Sequence, residues 1–196
     1  SVDFSERFHV RAAVKAGELV QDGAIGKVLQ VVILAPHHRR FSTRPAWYFE
    51  REKYGGILVD IGSHQFDQVL FYTGSDSAEI VASQIGNLHH PEYPEFEDFG
   101  DALVRGNGGL GYVRLDWFTP DGLGTWGDGR LFILGTNGYI EARKYCDIAG
   151  RPGGDHLFVV DGERTQHIDC RDVALTYGRR LIEDIRNRTE TAMTHA

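Results

Sequence analysis

The chain has 196 residues, 41% hydrophobic and 11% aromatic, enough to bury one core without disulfides or a structural metal. A net charge of -7, from 21 basic and 28 acidic residues, argues against a nucleic-acid backbone as partner, because such binding rests on clustered Lys and Arg. Cys146 and Cys170 are too few and too far apart for a zinc ribbon or a CxxC redox centre, which leaves reduced thiols as the expectation. Residues Ser1 to Arg7 lack the basic start and apolar run of a signal peptide. The longest apolar run, Val28 to Ala35, is interrupted by Gln30 and too short to span a bilayer. The expected location is cytoplasmic, with neither a membrane nor a nucleic acid as partner.

From Ser5 to Asp22, Phe8, Ala12, Ala16, Leu19 and Val20 recur at helical spacing, with Ser5 as N-cap and Gly23 where a C-cap glycine belongs. Lys27 to Ala35 reads as a strand buried on both faces, ending at Pro36. A long aromatic loop follows, closed by Gly55-Gly56, and Ile57 to Tyr72 reads as a second helix ending at Gly74. Strands are expected at Ile80 to Ile85, Asp101 to Arg105, Leu110 to Phe118, Leu131 to Leu134, Tyr139 to Arg143, Leu157 to Val160 and Thr165 to Asp169.

Asn107-Gly108, Asn137-Gly138 and Asp161-Gly162 mark hairpins, on the expectation that they supply positive φ angles. Along Tyr112 to Trp117, Val113, Leu115 and Trp117 alternate with Tyr112, Arg114 and Asp116, the pattern of a half-covered antiparallel sheet. A last helix, Val173 to Ile185, carries Tyr177, Leu181 and Ile185 on one stripe behind Asp172 as N-cap, and a polar, mobile tail is expected after Asn187. The expected fold class is α+β: a large, mostly antiparallel open sheet with helices packed on one face. It forms a single domain over 1–196, divided into 1–26, 27–54, 55–74, 78–169 and 172–187.

Gly106 to Gly111 and Gly122 to Gly127 both satisfy G-x-G-x-x-G. Both run into β-patterned segments rather than a helix N-terminus, so neither is read as a dinucleotide site. Arg39-Arg40 and Arg179-Arg180 are the adjacent basic pairs, read as solvated surface.

The segment Gly55 to Asp67 sets a dense polar cluster into an otherwise apolar helix. Asp60, His64 and Asp67 fall at i, i+4 and i+7 and share one helix face, on which they can converge on a small ligand, with Gly62 and Ser63 leaving room beside them. A histidine can take a hydroxyl proton while a carboxylate one turn away orients the substrate, a pairing suited to alcohol oxidation. The same spacing suits an Asp and a His satisfied structurally, and spacing alone does not separate the two. Three such side chains without a fourth ligand do not define a metal site.

The pattern Gly-Gly-x-x-x-Asp-x-Gly-x-His-x-x-Asp over Gly55 to Asp67 resembles the substrate-domain motif of the Gfo/Idh/MocA oxidoreductases. Phe4 to His9 and Ala24 to Val28 resemble that family's passage from nucleotide domain to substrate domain. The resemblance implies a two-domain enzyme whose Rossmann domain, absent from this chain, binds NAD or NADP, and whose second domain shapes the pocket for a sugar or polyol. By motif position it implies His64 as catalytic histidine, Asp60 as the acid contacting the reacting hydroxyl, and Gly55, Gly56, Gly62 and Asp67 as structural members.

Trp47, in the aromatic loop, and His37, at the end of the first strand, are further candidates for substrate contact. No cofactor-binding or metal-binding residue is assigned within the chain. The family's Glu-Lys-Pro segment is absent, so the chain alone is not expected to turn over substrate, and both ends are expected to be trimmed. A homodimer or homotetramer through the sheet is expected. The alternative is a non-catalytic carbohydrate-binding or oligomerisation module.

Overall fold

The computed structural model describes residues 5–193, so Ser1 to Phe4 of the leading motif and Thr194 to Ala196 lie outside the described residues. The first helix forms in two pieces, α1 (Glu6–His9) and α2 (Arg11–Gln21). Val10 between them is extended (φ -98°, ψ 115°) and buried, which turns the two axes apart. Ser5 makes no cap; its hydroxyl donates instead to the His64 carbonyl at 3.5 Å. The expected C-cap glycine is present: Gly23 has φ 75°, its N–H donates to the Val20 carbonyl, and Ala24 N–H donates to Leu19, the two bonds of a Schellman motif.

Eight strands make one sheet: β1 (Val28–Pro36), β2 (Ala78–Gly86), β3 (Phe99–Gly106), β4 (Leu110–Asp116), β5 (Arg130–Gly135), β6 (Gly138–Arg143), β7 (His156–Asp161) and β8 (Thr165–Asp169), in the order β2-β3-β4-β1-β5-β6-β7-β8. Only the β1–β4 pair is parallel. The first strand in sequence is thus the middle strand of the sheet. Around β1, the aromatic loop forms two 3₁₀ turns, Phe41–Thr43 and Ala46–Phe49, and a short helix α3 (Arg51–Tyr54). The second helix forms as α4 (Ile57–Asp60) and α5 (Gly62–Thr73).

The core lies on one side of the sheet. Val31, Ile33, Val113, Leu115, Ile133, Ile140 and Leu157 face α2, α4 and α5 and are buried. Gly111 on β4 lets α5 come close, since a Cβ there would stand 2.6 Å from Val69. The opposite face is open. Strand β1 is therefore not buried on both faces: Gln30, Val32 and Leu34 are half-buried, and Leu103 and Leu110 on neighbouring strands stand roughly half exposed. The continuous apolar run in β1 reflects its central place in the sheet rather than a second covering layer.

The hairpins form, but not by the expected backbone route. None of Gly108, Gly138 and Gly162 has a positive φ. Gly108 and Gly138 are needed for space: a Cβ would meet the Thr73 carbonyl oxygen at 2.2 Å or the Val160 carbonyl oxygen at 2.2 Å. Gly162 has nothing within 4 Å.

The last helix, α6, runs Tyr177–Asn187, four residues later than the pattern suggests. Residues Cys170 to Val173 close a turn instead, by Val173 N–H to the Cys170 carbonyl at 3.0 Å, so Asp172 caps nothing. Tyr177 anchors the helix by stacking on Phe8 at 4.1 Å. Tyr177 and Asp184 are buried and Leu181 half-buried between them, while Ile185 is exposed. Asp184 gathers the following residues: it accepts from Thr189 Oγ1 at 2.6 Å, Thr191 Oγ1 at 2.9 Å and Ala192 N–H at 2.7 Å. The described part of the tail is thus tied back.

Gly108→Ala should lower stability by about 1–3 kcal/mol, because added bulk meets fixed backbone, whereas Gly162→Ala should change it by less than about 1 kcal/mol. Paired urea melts of the two variants check this contrast, which two glycines needed for positive φ would not show.

Candidate functional site

The helix that carries Asp60 and His64 starts at two glycines with positive φ, Gly55 at 83° and Gly56 at 89°. A distant carboxylate then holds its first turn. Glu97, nearly buried, accepts the Ile57 N–H at 2.8 Å on one oxygen and the Arg51 Nε–H at 2.6 Å on the other. A negative charge at a helix N-terminus satisfies an orphan donor and complements the helix dipole. A Cβ on Gly56 would stand 2.6 Å from Glu97 Oε2, so the glycine pair makes room for the cap. The Tyr54 hydroxyl accepts the Glu97 N–H at 2.8 Å, closing the loop 51–57 on residue 97.

Asp60 is exposed at the end of α4, and the chain tightens at Ile61 before α5, where His64 N–H donates to the Ile61 carbonyl at 3.2 Å. The buried Tyr48 hydroxyl donates to Asp60 Oδ2 at 2.5 Å. Burial and that bond push the Tyr48 hydroxyl far above the ordinary tyrosine range, so it stays a donor. His64 is half-buried in the first turn of α5 and close enough to His9 of α1 for the two rings to repel when charged.

Asp67 does not join them. It forms a two-bond pair with Arg7, Nε to Oδ2 at 2.7 Å and Nη2 to Oδ1 at 3.1 Å, locking α5 to α1. Gly62 does not open space for a ligand either: it faces the sheet, where a Cβ would stand 3.1 Å from Leu115 and 3.2 Å from Phe66. Ser63, beside it, is exposed. The predicted three-residue face is therefore two residues, Asp60 and His64, with Ser63 at their side.

His37 is half-buried at the end of β1, its Nδ1–H donating to the Ala35 carbonyl at 2.9 Å. That assignment leaves Nε2 as an acceptor. Burial, the strongest influence, holds the ring below the ordinary histidine value despite the carbonyl bond and the Glu6 charge. Trp47 is about half exposed and packs its edge against Tyr48 at 5.9 Å.

Glu6, His37, Gln68, Lys144 and Tyr145 are the polar end of a crevice lined otherwise mainly by apolar residues of β1 and its neighbours. Glu6 and Lys144 form an ion pair, and Gln68 Nε2 donates to both Glu6 and the His64 carbonyl. Burial works against the charge on each partner, and the other partner outweighs it, so Glu6 is held below and Lys144 above its usual range. Glu6, Tyr48, Glu97 and Lys144 went unassigned in the sequence. Glu6 and Lys144 stand 138 positions apart, and no local pattern links them.

Among the described residues, no group of three or more His, Cys, Asp or Glu side chains is placed to hold a metal ion, and no helix is long and apolar enough to cross a membrane. The first G-x-G-x-x-G string is the β3–β4 hairpin and the second lies in the β4–β5 connection. Neither places a helix N-terminus where a pyrophosphate would sit.

An open, mostly antiparallel sheet with helices on one face, with Asp60 and His64 near the start of a Gly-Gly-led helix, is the architecture of a C-terminal domain of the kind found in oxidoreductases. The sequence profile of the GFO/IDH/MocA C-terminal domain matches residues 13–141, and the chain belongs to that family. An Erwinia carotovora atroseptica SCRI1043 protein assigned as an oxidoreductase superposes with a TM-score of 0.95 at 49% identity, covering 99% of this chain and 58% of that one.

A Thermotoga maritima protein of the same assignment superposes at 0.82 with 24% identity, covering 98% of this chain and 54% of that one. Levoglucosan dehydrogenase in complex with NADH and levoglucosan superposes at 0.63 with 20% identity, covering 81% and 44%. The last two similarities bear on fold alone. The chain spans little more than half the length of the first two structures. No curated protein matches it at a significant level.

His37 should titrate below the ordinary histidine value of about 6.5. Because the unfolded chain then binds more protons than the folded one between the two values, the contribution of His37 is complete above about pH 6.5 and is lost as pH falls through the folded value. Following the ring resonance by NMR, beside melts at stepped pH, checks both parts; a ring titrating above 6.5 would contradict the burial argument.

Proposed function

We propose that this chain is the substrate side of an enzyme transferring a hydride between NAD or NADP and a carbinol carbon of a sugar or polyol. The observation carrying the reading is the Asp60–His64 pair: two proton-handling groups four residues apart, Asp60 exposed at the end of α4 and His64 half-buried in the first turn of α5, on helices held at the start by Glu97 and along the side by Arg7. The placement of both G-x-G-x-x-G strings in strand connections supports a reading in which the cofactor is held by a separate domain, where it would supply the hydride acceptor or donor. The residues of this chain handle the proton and the substrate's position.

His64 takes the hydroxyl proton during oxidation and returns it during reduction. Asp60, fixed through Oδ2 by Tyr48, keeps its other oxygen for the substrate hydroxyl and steadies the charged imidazole. Trp47 offers an apolar face to a sugar ring and His37 an acceptor nitrogen to a hydroxyl. The NADH and levoglucosan bound by the dehydrogenase of similar fold support both the cofactor class and the sugar class.

The open sheet face supports association of copies into a dimer or tetramer. Val32, Leu34, Phe132 and Tyr139 point to it half-buried, and Leu103 and Leu110 are more exposed still. Exposed apolar side chains of this kind, set among Arg114, Arg130, Glu141 and Arg143, favour an interface with a polar rim. A cytoplasmic setting is the simplest one for free thiols and a nicotinamide reaction.

In the protein joined to its cofactor domain, His64→Asn and Asp60→Asn should each lower kcat by about 10²–10⁴-fold, measured by nicotinamide absorbance at 340 nm over a panel of sugars and polyols. Unchanged turnover in His64→Asn would sink the catalytic reading and favour a non-catalytic binding module. Phe132→Glu should convert the associated species to a monomer in light scattering; an unchanged mass would remove the sheet face as the interface.

A further inference from the structure

The loop between β1 and α3 holds cations that the rest of an acidic protein does not pair. Arg44 lies over three aromatic rings, with its guanidinium carbon 4.5 Å from the Tyr48 centroid, 5.1 Å from Trp117 and 5.9 Å from Trp126. Arg40 lies over the Trp126 ring at 5.2 Å. Among the described residues neither guanidinium has an ion-pair partner.

Several acids have cation partners of their own, Asp121 with His38, Asp116 with Arg114, Asp128 with Arg130, Glu97 with Arg51 and Glu50 with Lys53, while Asp60, held through Oδ2 by the Tyr48 hydroxyl, has no ion-pair partner among the described residues. Ring faces offset part of the positive charge but leave the in-plane N–H groups of a guanidinium without acceptors. Those N–H groups form a planar fork that suits a carboxylate or a phosphate.

The position of the pair gives it a role. Tyr48, under Arg44, is the residue whose hydroxyl holds Asp60. Trp126 and Trp117, the other two rings, flank His37 with centroids 5.8 and 5.4 Å away. Arg44 thus stands between the Asp60 end of the site and the His37 end. Arg40 is held in the left-handed region at φ 35°, ψ 43°, which costs a non-glycine residue free energy and recurs where a side chain is aimed at a ligand. From that backbone the Arg40 guanidinium reaches the Trp126 ring that Arg44 also approaches.

We propose that Arg44, assisted by Arg40, binds an anionic substituent on the sugar or polyol, so that the preferred substrate is a sugar acid or a sugar phosphate rather than a neutral sugar. The proposal rests on the sugar-class reading above but not on His64 as catalyst. A purely packing role for Arg44 would be kept by any side chain of similar reach and would carry no preference for charge.

The test is equilibrium binding to the full-length protein without cofactor, followed by tryptophan fluorescence, with glucuronate, glucose 6-phosphate and glucose as probes at low and high salt. We expect one or both anionic probes to bind at least about tenfold tighter than glucose, as charge-assisted hydrogen bonds imply, with the gap narrowing in high salt. Preference for glucuronate identifies a carboxylate as the substituent, and preference for glucose 6-phosphate a phosphate.

Arg44→Gln should abolish the preference and leave glucose affinity within about twofold. Arg44→Lys should retain part of it, and Arg40→Gln should weaken it. Should Arg44→Gln fail to fold, the exposed Arg40 decides. Equal affinity for all three probes, or a preference untouched by both Gln variants, overturns the proposal. Anion preference retained while His64→Asn turns over normally leaves this subsite standing and removes the catalytic reading; the reverse result removes the subsite alone.

Discussion

Ile57 starts its helix against the Glu97 carboxylate, and most of the site's order can be traced from that contact. The same carboxylate holds Arg51, and the Glu97 backbone is held by Tyr54, so a surface loop and a helix start share one nearly buried charge. Next door, Asp98 accepts the Leu88 and His89 N–H groups and the His90 ring at 2.7–2.8 Å, which fixes the strand connection that delivers Glu97. Further along, the Arg7–Asp67 pair locks the helix from the side. Asp60 and His64 sit between these two attachments, on backbone that has little freedom to move, the condition that proton transfer between positioned groups requires.

The sheet distributes its two faces between two tasks. Its helix side is closely packed because glycines at 100 and 111 let Ile57 and Val69 approach the strands, where a Cβ would stand 2.6 Å from each. Its other side keeps half-buried aliphatic and aromatic residues without a covering layer. The asymmetry follows from topology: β1 enters the middle of the sheet, the two meanders extend from it on either side, and α2, α4 and α5 pack on the same face.

Charge follows a similar division. Acids of the interior are paired with cations, Glu6 with Lys144, Glu97 with Arg51 and Asp98 with His90, or, as at Asp184, held by several hydrogen bonds. Burial of an ion is tolerable only on those terms. At the mouth of the site the rule is relaxed. Asp60 is exposed and Arg44 rests on aromatic rings, so that a negative and a positive group both touch Tyr48, the place where the proposed subsite would take its anion.

Periodicity along the chain was enough to locate all eight strands, the glycine-led helix, the Schellman glycine and the polar pair at 60 and 64, because each depends on side chains a few positions apart. Family resemblance over residues 55–67 supplied the chemistry. Local pattern did not show the break at Val10, the late start of α6 at Tyr177, the turning of Asp67 toward Arg7 or of Gly62 toward Leu115. Each of these is decided by a partner dozens of residues away. For the same reason Arg40, read as solvated surface in the sequence, becomes a candidate ligand group only once Trp126 is folded beneath it. Sequence spacing determines which side chains share an element's face; only the closed tertiary structure decides what that face meets, because burial and charge pairing are settled by contacts between elements.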